Sequence, residues 1–197
     1  MDVFSHALWG RHLTYRRVDW RVAAAMGVLP DLFAFIPSTI YRISKGQPTQ
    51  KIDENTVTSD LPAIAWDLYQ ISHSFIWTFV LFLLIWGSLE FRLRRIDSTD
   101  KLPAGKWLKT SMSPRTAALF LISPWVFHIL IDIPTHTIKF FPTPFLMPLS
   151  DFKVDGIAWS VWWILTMNAI ALLVVWWLLK RDESQRTAAM ASMAPLA

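Results

Sequence analysis

Residues 157–179 read IAWSVWWILTMNAIALLVVWWLL, with no ionisable side chain before Lys180-Arg181 closes the run. A helix rises about 1.5 Å per residue, so a run of this length crosses the roughly 30 Å hydrocarbon layer of a bilayer. Lipid cannot hydrogen-bond an open backbone, so the run must be helical. Working outward, 74–89 is nearly as apolar, with His73 before it and Arg92, Arg94 and Arg95 after it. Residues 116–138 are apolar apart from His128, Asp132 and His136. Residues 22–41 hold Asp31 and two prolines, Pro30 and Pro37, which predict a first span that is broken or re-entrant. The short apolar stretch 3–9 predicts a small extra helix. The fold class is therefore all-α: a polytopic membrane helical bundle with four transmembrane helices and a short N-terminal apolar helix.

The bulk composition agrees. The chain has 197 residues, 53% hydrophobic and only 17% charged, against about 25% charged in a soluble domain. It has no cysteine, which excludes disulfides and thiolate metal ligands. A net charge of +4 and a pI near 9.6 would suit a nucleic-acid partner, but the basic residues fall where membrane topology needs them, so none is expected. Residues 1–10 are too short an apolar run for a cleavable signal, and Arg11, Arg16, Arg17 and Arg21 follow rather than precede them. Residues 1–186 read as one membrane-embedded domain, and the Ala/Met-rich 187–197 as a disordered cytoplasmic tail.

Orientation follows from the Lys/Arg bias. Basic residues crowd 11–21, 92–115 and 180–186, whereas 43–71 sets Lys45 and Lys51 against Asp53, Glu54, Asp60 and Asp67. Loop 139–156 has only Lys139 and Lys153. Four spans with both termini in the cytoplasm satisfy every segment. Trp159, Trp162 and Trp163 then sit near the outer interface, and Trp20, Trp86, Trp176 and Trp177 near the inner one.

An Asp at the centre of a span costs about 2.5–3.5 kcal/mol on insertion, so it normally has a partner or a task. His128, Asp132 and His136 are spaced i, i+4, i+8 and share one helix face, drifting about 40° and rising about 6 Å per step. His128 and Asp132 can thus bind one ion together. Pro134 bends or ends the helix beside His136. His73 opens the second span on the same outer side, Asp31 falls mid-span directly after Pro30, and His6 sits in the short N-terminal stretch. Imidazole with carboxylate is the ligand set of Zn²⁺, Mn²⁺ or Fe²⁺. Such a metal with an open position lowers the pKa of its water toward ~7 and makes a hydroxide nucleophile.

Plainer readings exist for each residue. The His-x₃-Asp pair can be a hydrogen-bonded helix clamp, His73 an interfacial imidazole, and Asp31 the cap of a broken half-helix. His12, among arginines, reads as interfacial. Asp155 reads as the cap of the fourth helix rather than a ligand.

Taken in order, Ser5-His6-Ala7-Leu8-Trp9-Gly10, Leu29-Pro30-Asp31, Ser72-His73-Ser74 and His128-Ile129-Leu130-Ile131-Asp132-Ile133-Pro134-Thr135 resemble the motifs of the YdjM-like family. These are bacterial inner-membrane proteins described as metal-dependent hydrolases. More distantly, the order resembles the ligand arrangement of zinc phospholipase C and the P1-type nucleases, helical enzymes that cleave phosphoesters with up to three zinc ions. The resemblance implies one metal shared by His73, His128 and Asp132 and another served by His6 and Asp31, with His136 at a further position. The chain departs from the family at Leu32-Phe33-Ala34-Phe35, where an Asp and a His often follow, and at Tyr69-Gln70-Ile71-Ser72, where a His-Arg-Gly lead-in is usual. Both departures remove ligands from a three-metal set.

The expectation is thus a mono- or dinuclear centre, zinc first, in the outer half of a bacterial inner-membrane bundle. The chemistry would be hydrolysis of a phospholipid or lipid-linked phosphoester, with Asp31 or Asp132 as ligand and proton acceptor. The proline-bearing segment 140–156 would form a rigid outer loop over the site. Two rivals use the same residues: a metal-ion or proton transporter, and a non-catalytic protein in which the His/Asp set only packs the bundle. Oligomeric state is not legible.

Overall fold

The computed structural model describes residues 1–48, 56–96 and 100–192. Among them the chain is all-helical: α1 (Val3–Leu13), α2 (Trp20–Ser44), α3 (Ala63–Ser72), α4 (Phe75–Ile96), α5 (Pro114–Thr135) and α6 (Trp162–Ser192). Four of these, α2, α4, α5 and α6, are long and apolar enough to cross a membrane. The acidic residues Asp53 and Glu54 of the 43–71 segment lie outside the described residues.

Helix α5 is the centre of the bundle and packs against α1, α2 and α4. Ser113 caps it, its hydroxyl accepting the Thr116 N–H at 3.3 Å, and Pro114 follows, where its missing N–H costs nothing. The helix ends at Thr135, because Pro134 cannot continue the ladder and His136 turns extended. The carbonyls this frees are not left bare. Ile157, Trp159 and Gly156 donate to Pro134, Thr135 and His136 at 2.9, 3.0 and 2.8 Å. Gly156 is required there, since a Cβ would lie 2.3 Å from the Pro134 oxygen.

Helix α1 lies against α2 and α5 with its backbone in contact with α2. A Cβ on Gly10 would stand 2.4 Å from the Ala23 oxygen, and one on Gly27 would stand 2.4 Å from the His6 oxygen. Two glycines facing each other thus let the helices touch and set the depth of His6. Asp2 starts α1 by accepting from Ser5 N at 2.9 Å and from the Ser5 hydroxyl at 2.5 Å.

The loops sort by charge. The turn 14–19, the segment 100–113 and the end of α6 meet at one end: Val18 bridges Leu108, and Arg16 lies 3.7 Å from Asp182. At the opposite end, Thr58 N donates to the Lys139 oxygen at 3.1 Å, and Phe141 N to the Thr58 hydroxyl at 2.7 Å. All three basic segments therefore share one end of the bundle.

Several expectations change. Helix α2 runs unbroken through Pro30 and Pro37 rather than as half-helices; each proline removes one backbone donor without ending the helix. The fourth long helix starts at Trp162, so Asp155 does not cap it; its carboxylate accepts Ile138 N at 2.8 Å and ties loop 139–156 to the end of α5. That helix continues to Ser192, so 187–192 are helical where a disordered tail was expected; the Ala-rich composition favours helix. Residues 193–197 lie outside the described set. His12 is buried against the bundle beside the basic turn 14–19. Helix α3, too short to register as a span, carries His73 at its C-cap.

Candidate metal centre

Six residues singled out by the sequence, His6, Asp31, His73, His128, Asp132 and His136, lie together, and all six are buried. Four form the tightest group: one ligand atom each from Asp31, His73, His128 and Asp132 lies within 4.8 Å of all the others. Its edges are His73 Nε2 to His128 Nε2, 3.0 Å, His73 Nε2 to Asp31 Oδ1 and to Asp132 Oδ2, both 3.5 Å, and His128 Nε2 to Asp31 Oδ1 and to Asp132 Oδ2, 3.6 and 3.1 Å. A tetrahedron with metal–ligand bonds of 2.0–2.1 Å has edges of about 3.3–3.4 Å. The group scatters about that value.

The outward sides of both imidazoles are fixed. His128 Nδ1 lies 2.7 Å from the Gly27 carbonyl oxygen, which can only accept, so Nδ1 carries the hydrogen. Ser72 donates its hydroxyl to the Tyr69 oxygen at 3.4 Å, which leaves its lone pair to take the hydrogen of His73 Nδ1 at 2.9 Å. In the neutral rings each Nε2 is then a bare lone pair aimed at the other. This is how metal-binding histidines are oriented by an outer shell. Ring stacking holds the planes: His6 on His128 at 3.5 Å and Tyr69 on His73 at 3.6 Å.

Asp132 sits at the junction. Its Oδ2 faces the two imidazoles and, at 3.6 Å, His136, yet it accepts no hydrogen bond. Its Oδ1 is 2.5 Å from the amino group of Met1 and 3.3 Å from His6 Nε2. That amino group is also 3.3 Å from His136 Nε2. Both ring nitrogens of His6, and Nδ1 of His136, lack hydrogen-bond partners. A buried polar atom without a partner costs about 1–3 kcal/mol, and several collect around one carboxylate. His6 and His136 flank the four-atom group, each with its Nε2 turned to an Asp132 oxygen, at 3.3 and 3.6 Å.

The site is enclosed. The side chains of His73, His128 and Asp132 are 0%, 0% and 1% exposed, whereas Asp31 keeps 11%. On the side away from the basic end Tyr69, Phe141 and Trp66 form an aromatic wall, with Phe141 in edge contact with Tyr69 at 5.0 Å. Beyond it lies a pocket of about 600 Å³ lined by Thr58, Trp66, Ile138, Lys139 and Pro142 among others, none of them a cluster residue. Sequence reasoning missed Tyr69 and the Gly27 carbonyl. The Tyr69-x₃-His73 spacing was the available signal for the first; a backbone acceptor leaves none.

No protein-family model, no curated protein and no solved structure matches this chain.

Proposed function

We propose that this protein is a membrane-embedded metal-dependent hydrolase that holds a divalent cation between Asp31, His73, His128 and Asp132. One observation carries the metal: two imidazole Nε2 atoms face each other at 3.0 Å with both Nδ1 hydrogens already committed. Zn²⁺ suits the nitrogen and oxygen donors and the tetrahedral edges best, with Mn²⁺ and Fe²⁺ next. The order of the four motifs, which resembles the YdjM-like hydrolases, supports the reaction class.

When bound, the metal supplies an activated water and polarises a phosphoryl oxygen. The chain's own residues do the rest. His73 and His128 are pre-oriented, so no rotamer search precedes binding. Asp132 balances charge at full burial. Asp31 is the only one of the four with solvent exposure, so it is the ligand that can move aside and accept a proton from water. A phosphoester on a phospholipid or lipid-linked molecule is the substrate class that reaches such a depth. The basic end faces the cytoplasm of a bacterial inner membrane by the Lys/Arg rule.

A second reading is favoured by the enclosure: four protein ligands complete a tetrahedron, as in structural metal sites, and catalytic sites keep a position open. Transport has less support, because among the described residues no other carboxylate is buried between the cluster and the basic end.

The test is metal analysis of the purified protein, followed by turnover of a chromogenic phosphodiester and a labelled phospholipid. We expect about one metal per chain, and turnover that disappears in His128→Ala and Asp132→Ala. Less than about one tenth of a metal per chain removes the metal reading. Metal without turnover supports the structural reading, and metal flux into vesicles without hydrolysis supports transport.

A further inference from the structure

At the basic end, far from the metal ligands, lies a pocket of about 290 Å³ between α4, α5 and the segment 102–108. Its walls are apolar: Leu89 from the penultimate turn of the α4 stretch facing Arg92, Leu121 two turns into α5, and the buried Leu102 and Leu108. Its rim is basic, with Arg92 and Lys106, and the Arg92 guanidinium lies 5.7 Å from the centre of the Trp107 ring.

The pocket is built rather than incidental. Segment 102–112 is held by paired bridges, Leu102 to Met112 and Val18 to Leu108. Asp19 N donates to the Trp107 oxygen at 2.8 Å, Lys109 N to the Arg17 oxygen at 2.9 Å, and Gly105 N to the Leu108 oxygen at 2.7 Å. The ion pairs at this end join Arg16, Lys180 and Arg186 to Asp182 and Glu183. Among the described residues, Arg92 and Lys106 are in none. Two cations without carboxylates therefore stand over an apolar hollow where the spans leave the hydrocarbon.

We infer that this pocket binds one anionic phospholipid, its phosphate on Arg92 and Lys106 and the start of an acyl chain against Leu89, Leu102 and Leu121. The charge is complementary to anionic lipid, and basic pockets between spanning helices suit such headgroups. Apolar walls distinguish it from a site for a free anion, which gains nothing from leucine. Trp107 fits the amphipathic zone where indoles settle. The inference stands apart from the hydrolase reading, since no ligand of the cluster lines the pocket.

The test uses the full chain, delipidated in detergent and titrated in native mass spectrometry. Probes are a phosphatidylglycerol, a phosphatidylcholine of equal chain length, and inorganic phosphate as competitor. We expect the anionic lipid to bind on the order of tenfold tighter than the zwitterionic one. Arg92→Gln with Lys106→Gln should erase that preference. Gly105→Phe should block binding with both charges intact; a Cβ there meets no atom within 4 Å, so the backbone accepts a side chain, and an unchanged melting temperature checks that the fold is kept. Arg94→Gln with Arg95→Gln, the same change in charge outside the pocket, should leave it unaltered. Equal binding of the two lipids, an equal loss in the Arg94/Arg95 control, or displacement of the lipid by millimolar phosphate would each overturn the proposal.

Discussion

The Nε2 atoms of His73 and His128 stand 3.0 Å apart, and in the neutral rings neither has a hydrogen left to share, because Gly27 and Ser72 hold the Nδ1 sides. Two lone pairs in a buried space repel unless a proton or a metal cation lies between them. Asp31 and Asp132 supply negative charge at the same point, 3.1–3.6 Å from His128. A divalent cation satisfies all four groups at once, whereas a single proton serves only one pair.

Metal removal therefore leaves a buried, uncompensated cluster. Chelation of the loaded protein should lower its melting temperature, and readdition should restore it; a cation at 100 times its Kd contributes about 2.7 kcal/mol. The His128→Ala variant should lose this metal dependence. The check is thermal unfolding of both proteins with and without added Zn²⁺, and an unchanged melting temperature on chelation of metal-loaded protein counts against the centre.

Tyr69 separates packing from polarity. Its ring is fully buried against His73, Trp66 and Phe141, and its hydroxyl lies beside the Thr143 hydroxyl without forming a well-aligned hydrogen bond. Tyr69→Phe should therefore change stability by less than about 0.5 kcal/mol, since no well-aligned hydrogen bond is lost. Tyr69→Ala should cost about 3–5 kcal/mol through the cavity it opens and release the His73 plane. Denaturant titration in detergent, paired with metal content, distinguishes the two. A large loss in the Phe variant would mean the hydroxyl has a partner.

Gly27 governs the approach of α1. A methyl group there would stand 2.4 Å from the His6 oxygen, a backbone atom that cannot rotate away. Gly27→Ala should push α1 outward, costing about 1–3 kcal/mol, and should shift the carbonyl that orients His128. Metal affinity should fall with it. The control is Gly87→Ala on α4, where a Cβ meets nothing within 4 Å and stability should hold or rise slightly. Equal effects at both positions would show that the close approach is not what matters.

Much of this was legible in the sequence. Four apolar runs and the Lys/Arg bias sufficed for an all-helical bundle, because lipid leaves the backbone few choices. The His128–Asp132 pair was legible because i, i+4 spacing places two residues on one helix face. Asp31 and His73 could be aligned only by depth, since nothing in a sequence measures the distance between helices. The continuity of α2 was hidden because whether a proline breaks a helix depends on its neighbours. Helix α6 runs on through the Ala/Met-rich residues 187–192, because alanine favours helix and composition alone does not mark where such a helix stops.

The attachment of α6 gives the last prediction. This helix meets the bundle along α1, and most of its apolar surface faces outward. Its specific link is a short polar chain. Asn168 donates to the Ser5 hydroxyl at 2.7 Å, Ser5 donates to Asp2 at 2.5 Å, and Trp9 Nε1 donates to the Asn168 oxygen at 2.8 Å. Hydrogen bonds between helices in lipid contribute about 0.6–1.7 kcal/mol each, so Asn168→Leu should loosen α6 by roughly 1–3 kcal/mol. Asp31, His73, His128 and Asp132 all lie outside α6, so metal content should stay near wild type. A disulfide reporter pair placed on α1 and α6 should form more slowly in the variant, and amide exchange along α6 should quicken. Loss of metal in Asn168→Leu, with the fold intact, would instead mean that α6 supports the site through α1. In that case Ser5→Ala should lose metal to the same degree.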